Sequence, residues 1–136
     1  MYLYGVCTDD LKHINVEGVI ELLKMIDVYQ ECMDDCDNDL ECVLDWVDNY
    51  ESDGRFGIGA LLYDVIQEKE ECNIDLDDPN GIMFLGLAAD APWNFNETTR
   101  NMSEDDYNFM LKKYINMIMD DEIEIHWWHE IDDCDW

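Results

Sequence analysis

Acidic side chains run through the whole chain, interleaved with apolar residues, and this pattern constrains the fold more than any other feature. The chain has 35 Asp and Glu against 7 Lys and Arg, a formal net charge of −28 over 136 residues. Like charges at this density repel one another and weaken the compact state. Because 48% of the residues are hydrophobic and 12% aromatic, unlike a disordered acidic chain, we expect one folded domain spanning residues 1–136.

Apolar periodicity divides the chain into strands and helices. Residues 2–6 and 82–87 have the composition of strands, and residues 122–127 alternate at period two. Helical spacing predicts four helices, over residues 16–33, 39–50, 58–71 and 104–119. The resulting order β-α-α-α-β-α-β predicts a small α+β domain with a three-stranded sheet.

Capping and turn residues mark the ends of these elements. Asn15 is the predicted N-cap of the first helix. Ser103, followed three residues later by Asp106, resembles a capping box at the start of the last helix. Residues 34–38 and 75–81 are rich in Asp and Asn, so they predict a turn and a loop.

One helical face is predicted to carry a row of carboxylates. This acidic row has five members at intervals of 3, 4, 4 and 3 residues, namely Asp34, Asp37, Glu41, Asp45 and Asp48. Such intervals place side chains on one face of a helix, where successive members climb roughly 5–6 Å. Duplex DNA carries one phosphate about every 3.4 Å along each strand. The row is therefore a coarse imitation of a phosphate backbone.

Basic residues that could compensate this charge are scarce in the same part of the chain. Only Lys12, Lys24 and Arg55 precede Lys69. Each pair of like charges one helical turn apart costs a few tenths of a kcal/mol. The alternative is that the row is simply the solvated face of two amphipathic helices. Dense carboxylates without basic partners favour a binding surface for a strongly positive protein.

Glu31 and Trp46 are predicted to belong to the same partner-binding surface as the acidic row. Glu31 lies one turn before Asp34, and Trp46 stands beside Asp45. Trp46 falls off the predicted apolar face of its helix, so we expect it to be exposed and to anchor a partner. Further candidate aromatic anchors are Tyr29, Tyr50 and Trp93.

Calcium is one rival use for so many carboxylates. An EF-hand loop requires Gly at position 6 and Glu at position 12. With Gly54 at position 6, Ala60 falls at position 12, and with Gly81 there, Leu87 does. Neither segment is therefore an EF-hand.

Zinc and catalysis have weaker support. The ligand types for zinc occur in two groups, Cys32-x3-Cys36 with Cys42, and His126-x2-His129 with Cys134. Neither group has the spacing of paired C-x2-C motifs. The chain also lacks a G-x-S-x-G motif and a P-loop. We therefore predict no metal, no cofactor and no catalytic residues, with a small Cys/His enzyme or metal-binding protein as an alternative.

The chain resembles the DNA-mimic anti-defence proteins of phages and mobile elements. Like them, it is small, strongly acidic and rich in aromatic residues, and it shows no catalytic motif or export signal. Composition and the acidic row carry this resemblance. It implies a non-catalytic anti-restriction or anti-CRISPR inhibitor in the bacterial cytoplasm.

The partner implied is a basic nucleic-acid-binding protein, a host nuclease effector, whose DNA channel the inhibitor occupies. The inhibitor itself is expected to bind neither nucleic acid nor membrane. An acidic regulator that binds another basic protein without competing with nucleic acid is the alternative, and the oligomeric state, monomer or dimer, is left open.

Overall fold

The protein has an α+β fold with five α-helices and two antiparallel sheets in the residues that this computed structural model describes, 2–52, 54–70, 73–77, 83–89, 93 and 102–129. The helices are α1 Val16–Met25, α2 Tyr29–Asp35, α3 Leu40–Asp48, α4 Ile58–Lys69 and α5 Glu104–Ile118. The strands are β1 Tyr2–Cys7, β2 Glu51–Ser52, β3 Arg55–Phe56, β4 Asp75–Asp77, β5 Phe84–Ala89 and β6 His126–His129. A 3-10 turn, Thr8–Asp10, follows β1.

The main sheet has four strands in the order β4-β5-β1-β6, and every neighbouring pair is antiparallel. β1 is central, since Tyr4 pairs with Leu87 on one side and with Trp127 on the other. Alternate residues of β1 point to opposite faces. Tyr4 and Val6 join the large core cluster that contains the helices, whereas Leu3 joins a second buried cluster.

The large core lies between this sheet and the helices. α1 contacts each of the other four helices. The largest fully buried side chains of the helices include Leu22, Leu23, Leu61, Leu62, Tyr107, Tyr114 and Ile115. α1 therefore connects α2 and α3 to the rest of the core. None of the described helices has the length and apolar character needed to cross a bilayer.

The single helix predicted over residues 16–33 is in fact two helices. Asp27 has a φ of 60°, in the left-handed region, and Val28 N–H donates to the Leu23 carbonyl at 3.1 Å. This is the Schellman arrangement that ends a helix. Ile26 and Val28 stay half-buried on either side of the break. The apolar periodicity therefore continues across it and conceals it.

The sheet differs from the predicted three strands. Residues 75–77 of the predicted loop form the edge strand β4, while residues 78–81 lie outside the described ranges. β2 and β3 form a separate hairpin. Residues 122–125 are not a strand, because the pairing of β6 with β1 stops at His126. Their alternation reflects burial of Ile123 and Ile125 without strand pairing.

Other predicted elements are confirmed with shifted ends. α3, α4 and α5 match the helices predicted over 39–50, 58–71 and 104–119, although residue 71 is outside the described ranges. β5 matches the strand predicted over 82–87, whose residue 82 is likewise not described. The Asn15 side chain accepts from two backbone N–H groups of α1, and Ser103 Oγ accepts from Asp106 N–H at 3.1 Å, so both predicted N-caps are confirmed.

Candidate functional site

A tight corner joins α2 to α3 and sets the shape of the acidic surface. Asp37 and Asn38 have φ angles of 52° and 61°, and Asn38 N–H donates to the Met33 carbonyl at 2.9 Å. This ends α2 with a second Schellman arrangement. Asp39 then caps α3, its carboxylate accepting from Glu41 N–H at 3.0 Å. Asp and Asn tolerate the left-handed conformation better than most residues, so this acidic segment is also what turns the chain.

The acidic row does not lie on one helix, contrary to the spacing argument. Glu41, Asp45 and Asp48 occupy one face of α3, whereas Asp34 is in α2 and Asp37 is in the corner. All five side chains are exposed, as is Glu31. The row therefore continues from one helix to the next and changes direction at Asp37.

α3 presents its carboxylates because its opposite face is anchored in the core. Val43 and Val47 are fully or almost fully buried, and Leu44 is half-buried. Leu40 stands at helical spacing from Val43 and Leu44, yet it is 52% exposed in the first turn of the helix. The buried face of α3 therefore begins at Val43.

Trp46 is half-buried rather than exposed, which corrects the sequence-based expectation. Its Nε1–H donates to Asp35 Oδ2 at 2.8 Å, and its ring centroid lies 5.8 Å from that of Tyr50. Part of the side chain packs against the core. Trp46 thus links α2 to α3 and keeps only one portion of its surface available to a partner.

A groove of about 490 Å³ lies beside Trp46. We call it the acidic groove and define it by four carboxylates and two aromatic rings, from Glu31, Asp35, Asp45, Glu51, Trp46 and Tyr50. The structure therefore brings together three of the predicted partner-binding residues, Glu31, Asp45 and Trp46. The other four, Asp34, Asp37, Glu41 and Asp48, lie outside the groove lining.

Two of the groove carboxylates were missed by sequence reasoning. Asp35 is adjacent to Asp34 of the acidic row, but its carboxylate turns to Trp46, eleven residues further along the chain. Glu51 belongs to β2, a two-residue strand that is too short to show a periodic pattern. No local sequence pattern marks either residue as part of the groove. The corner between α2 and α3 positions Asp35 there, and the turn after α3 positions Glu51.

Asp64 of α4 fixes the Tyr50 side of the groove. Its carboxylate accepts from the Tyr50 hydroxyl through Oδ2 and from Ser52 Oγ, at 2.5 Å, through Oδ1. Burial, together with the hydrogen bond to Asp64, raises the pKa of Tyr50. The Tyr50 hydroxyl therefore stays protonated and remains a donor, so the ring is held where α3 ends.

The carboxylates of the groove and of the acidic row lack basic partners in the described part of the chain. Ion pairs there join Lys24 to Glu21 at 3.6 Å, Lys113 to Glu70 at 3.8 Å, and His13 to Asp121 at 2.8 Å. None of these involves a carboxylate of α2 or α3. Asp34 instead accepts from the neutral Gln30 amide at 2.9 Å. No described basic residue therefore neutralises this surface, and its charge can meet solvent ions or a partner.

Three thiols lie together behind the same surface. Cys32 and Cys36 are buried and Cys42 is half-buried, and the thiols of Cys32 and Cys42 both influence that of Cys36. Within the described ranges, no group of three or more Cys, His, Asp or Glu side chains could hold a metal ion. Cys134 and the His129 side chain, which belong to the second zinc alternative, lie outside the description.

The chemistry of Cys42 gives a pH-dependent test of this arrangement. Its hydrogen bond with Cys36 and its burial raise the pKa of Cys42 from 9.0 to about 11. Alkylation requires the thiolate. The labelling rate of Cys42 by iodoacetamide should thus still rise about tenfold per pH unit between about pH 9 and pH 10. Peptide mapping by mass spectrometry measures that rate.

Unfolded protein provides the control for Cys42. In denaturant the thiol loses its contact with Cys36, so its labelling rate should level off near the ordinary pKa of 9.0. A folded protein whose Cys42 labelling levels off at the same pH would contradict the contact with Cys36.

The acidic row on α2 and α3 and the acidic groove beside it are therefore the surface features that point to a function. No protein-family model, no curated protein and no solved structure matches the chain.

Proposed function

We propose that this protein is a non-catalytic inhibitor of a bacterial defence nuclease, either a restriction enzyme or a CRISPR effector. Its carboxylates take the place of DNA phosphates on the basic nucleic-acid-binding surface of that enzyme. The observation that supports this proposal most is the set of exposed carboxylates that runs from α2 to α3 and has no basic partner among the described residues. The set comprises Glu31, Asp34, Asp37, Glu41, Asp45 and Asp48.

The extent of the imitation follows from the fold. Glu41 and Asp48 are seven residues apart on α3, so their positions are separated by about 10 Å along the helix axis. That length corresponds to roughly three phosphate spacings of one DNA strand. Beyond it the row turns at Asp37. The carboxylates of α3 thus imitate a short stretch of DNA backbone. Those of α2 continue the imitation in another direction.

Binding would be driven by charge and fixed by a few anchors. A net charge of −28 raises the encounter rate with a basic channel, and salt reduces that rate steeply. Lys and Arg side chains of the enzyme would pair with the acidic row instead of with phosphates. Trp46 and Tyr50, which line the acidic groove, are the aromatic contacts we propose, since such residues are enriched among binding hot spots.

Inhibition of DNA cleavage tests the proposal. A panel of purified restriction enzymes and CRISPR effectors is assayed for cleavage of a labelled duplex in the presence of this protein. For the inhibited enzyme, we expect inhibition to be relieved as the duplex concentration increases, because DNA and inhibitor compete for one surface. Inhibition that is independent of DNA concentration would favour the alternative, a regulator that binds a basic protein at another surface.

A further inference from the structure

The acidic groove combines carboxylates with two aromatic rings, which distinguishes it from the acidic row. Trp46 and Tyr50 line it, with ring planes inclined by 46° to one another. The carboxylates of Glu31, Asp45 and Glu51 lie around the same space. A ligand in this groove therefore meets negative charge and the faces or edges of two rings at once.

The Trp46 ring is held in place before any partner arrives. Its indole N–H is bonded to Asp35 at 2.8 Å, and Asp64 fixes the hydroxyl of the neighbouring Tyr50. Pre-organised side chains lose less conformational entropy on binding. The groove thus offers a fixed aromatic surface.

The chemistry of the groove fits a guanidinium better than an ammonium. A planar guanidinium stacks on an aromatic ring and donates several N–H groups in a fixed fork to carboxylates. An ammonium is a compact and more strongly hydrated charge that stacks less well. Both cations can pair with a carboxylate and approach a ring, as Lys24 does with Glu21 and the Tyr29 ring. Only the guanidinium can lie flat on the indole while its fork of N–H groups reaches more than one carboxylate.

We infer that the acidic groove binds the guanidinium of an arginine side chain of the partner, with Trp46 as the residue that selects arginine over lysine. This inference rests on the proposed function, since it assumes a basic partner. It adds that the groove, rather than the acidic row, distinguishes one basic surface from another. The row attracts any strongly basic protein, and the groove requires an arginine at one position.

A pair of matched peptides tests the inference without knowledge of the natural partner. One glycine-serine peptide carries interspersed arginines, and the other carries lysines at the same positions. Calorimetry at fixed ionic strength measures both affinities for the full chain. We expect the arginine peptide to bind about 3- to 10-fold more tightly, because flat stacking and the donor fork add to a cation–π contact that both cations can make.

Two variants of Trp46 isolate the groove from the rest of the acidic surface. Trp46→Leu should reduce the ratio of arginine to lysine affinity towards one, mainly through a loss of affinity for the arginine peptide. Trp46→Phe retains an aromatic face without the indole N–H, so it should keep most of the preference for arginine. Circular dichroism confirms that each variant is folded before binding is measured.

The outcomes separate this inference from the proposed function. Equal affinities of the two peptides for the wild-type protein, or an arginine preference that survives in Trp46→Leu, would overturn the arginine groove. The proposed function then stands as long as duplex DNA still relieves inhibition of the nuclease. If duplex DNA does not relieve inhibition while the preference for the arginine peptide remains, the DNA-mimic proposal is overturned and the groove remains an arginine site.

Discussion

Reversal of Glu41, Asp45 and Asp48 to lysine is expected to weaken binding to the inhibited nuclease by more than about 100-fold. These residues form the exposed face of α3 and have no basic partner in the described residues. The variant replaces three attractive contacts with three like-charge contacts, each of which costs several kcal/mol when water is excluded. Surface plasmon resonance at fixed salt measures the loss.

The control for this triple reversal has the same charge change elsewhere. Asp120, Glu122 and Glu124 are exposed and lie after α5. Their reversal to lysine also brings the formal net charge from −28 to −22, because each reversal adds two units. We expect it to slow association but to reduce affinity by less than about tenfold. Equal losses in the two variants would show that bulk charge, not α3, drives binding.

Gly18→Ala is expected to destabilise the protein by about 2–3 kcal/mol. A Cβ atom at Gly18 would lie 1.6 Å from the Met117 carbonyl oxygen, which is backbone of α5. Backbone cannot rotate away as a side chain can, so α1 and α5 would have to separate. Asn15 N–H also donates to the Ile118 carbonyl at 2.5 Å, and this hydrogen bond across the same contact would be strained.

Urea denaturation followed by circular dichroism measures the effect of Gly18→Ala. The sign of the change in unfolding free energy is informative, because replacement of glycine by alanine in an uncrowded helix stabilises the helix by up to about 1 kcal/mol. Asn116→Ala, an exposed change next to Met117, is the control and should stay within about 0.5 kcal/mol of wild type. Unchanged or increased stability of Gly18→Ala would contradict the close packing of α1 on α5.

Periodicity and capping residues predicted most of the helical part of the fold. The caps Asn15 and Ser103 were identified because short polar side chains at these positions accept from the free N–H groups of the first turn. The break at Asp27 was missed because an aspartate, rather than a glycine or proline, adopts the left-handed conformation there. β4 was missed because a three-residue strand between turn residues has too few positions to show alternation.

Sequence patterns predicted exposed carboxylates on the second and third helices, but not the groove that Asp35 and Glu51 also line. The exposure of Glu41, Asp45 and Asp48 follows from helical spacing, which the structure retains within α3, whereas Asp37 lies in the corner. The contact of Trp46 with Asp35 could not be predicted, because it depends on how α2 and α3 meet across the corner at Asp37. Contacts between elements depend on tertiary packing, which local sequence patterns do not encode.

Anisotropy of a labelled duplex bound to the inhibited nuclease tests the central claim most directly. Addition of this protein should release the duplex, so that the anisotropy falls to the value of free DNA as the inhibitor saturates the enzyme. A duplex that stays bound while the inhibitor also binds, with anisotropy equal to or above that of the binary complex, would contradict the replacement of phosphates by the carboxylates of α2 and α3.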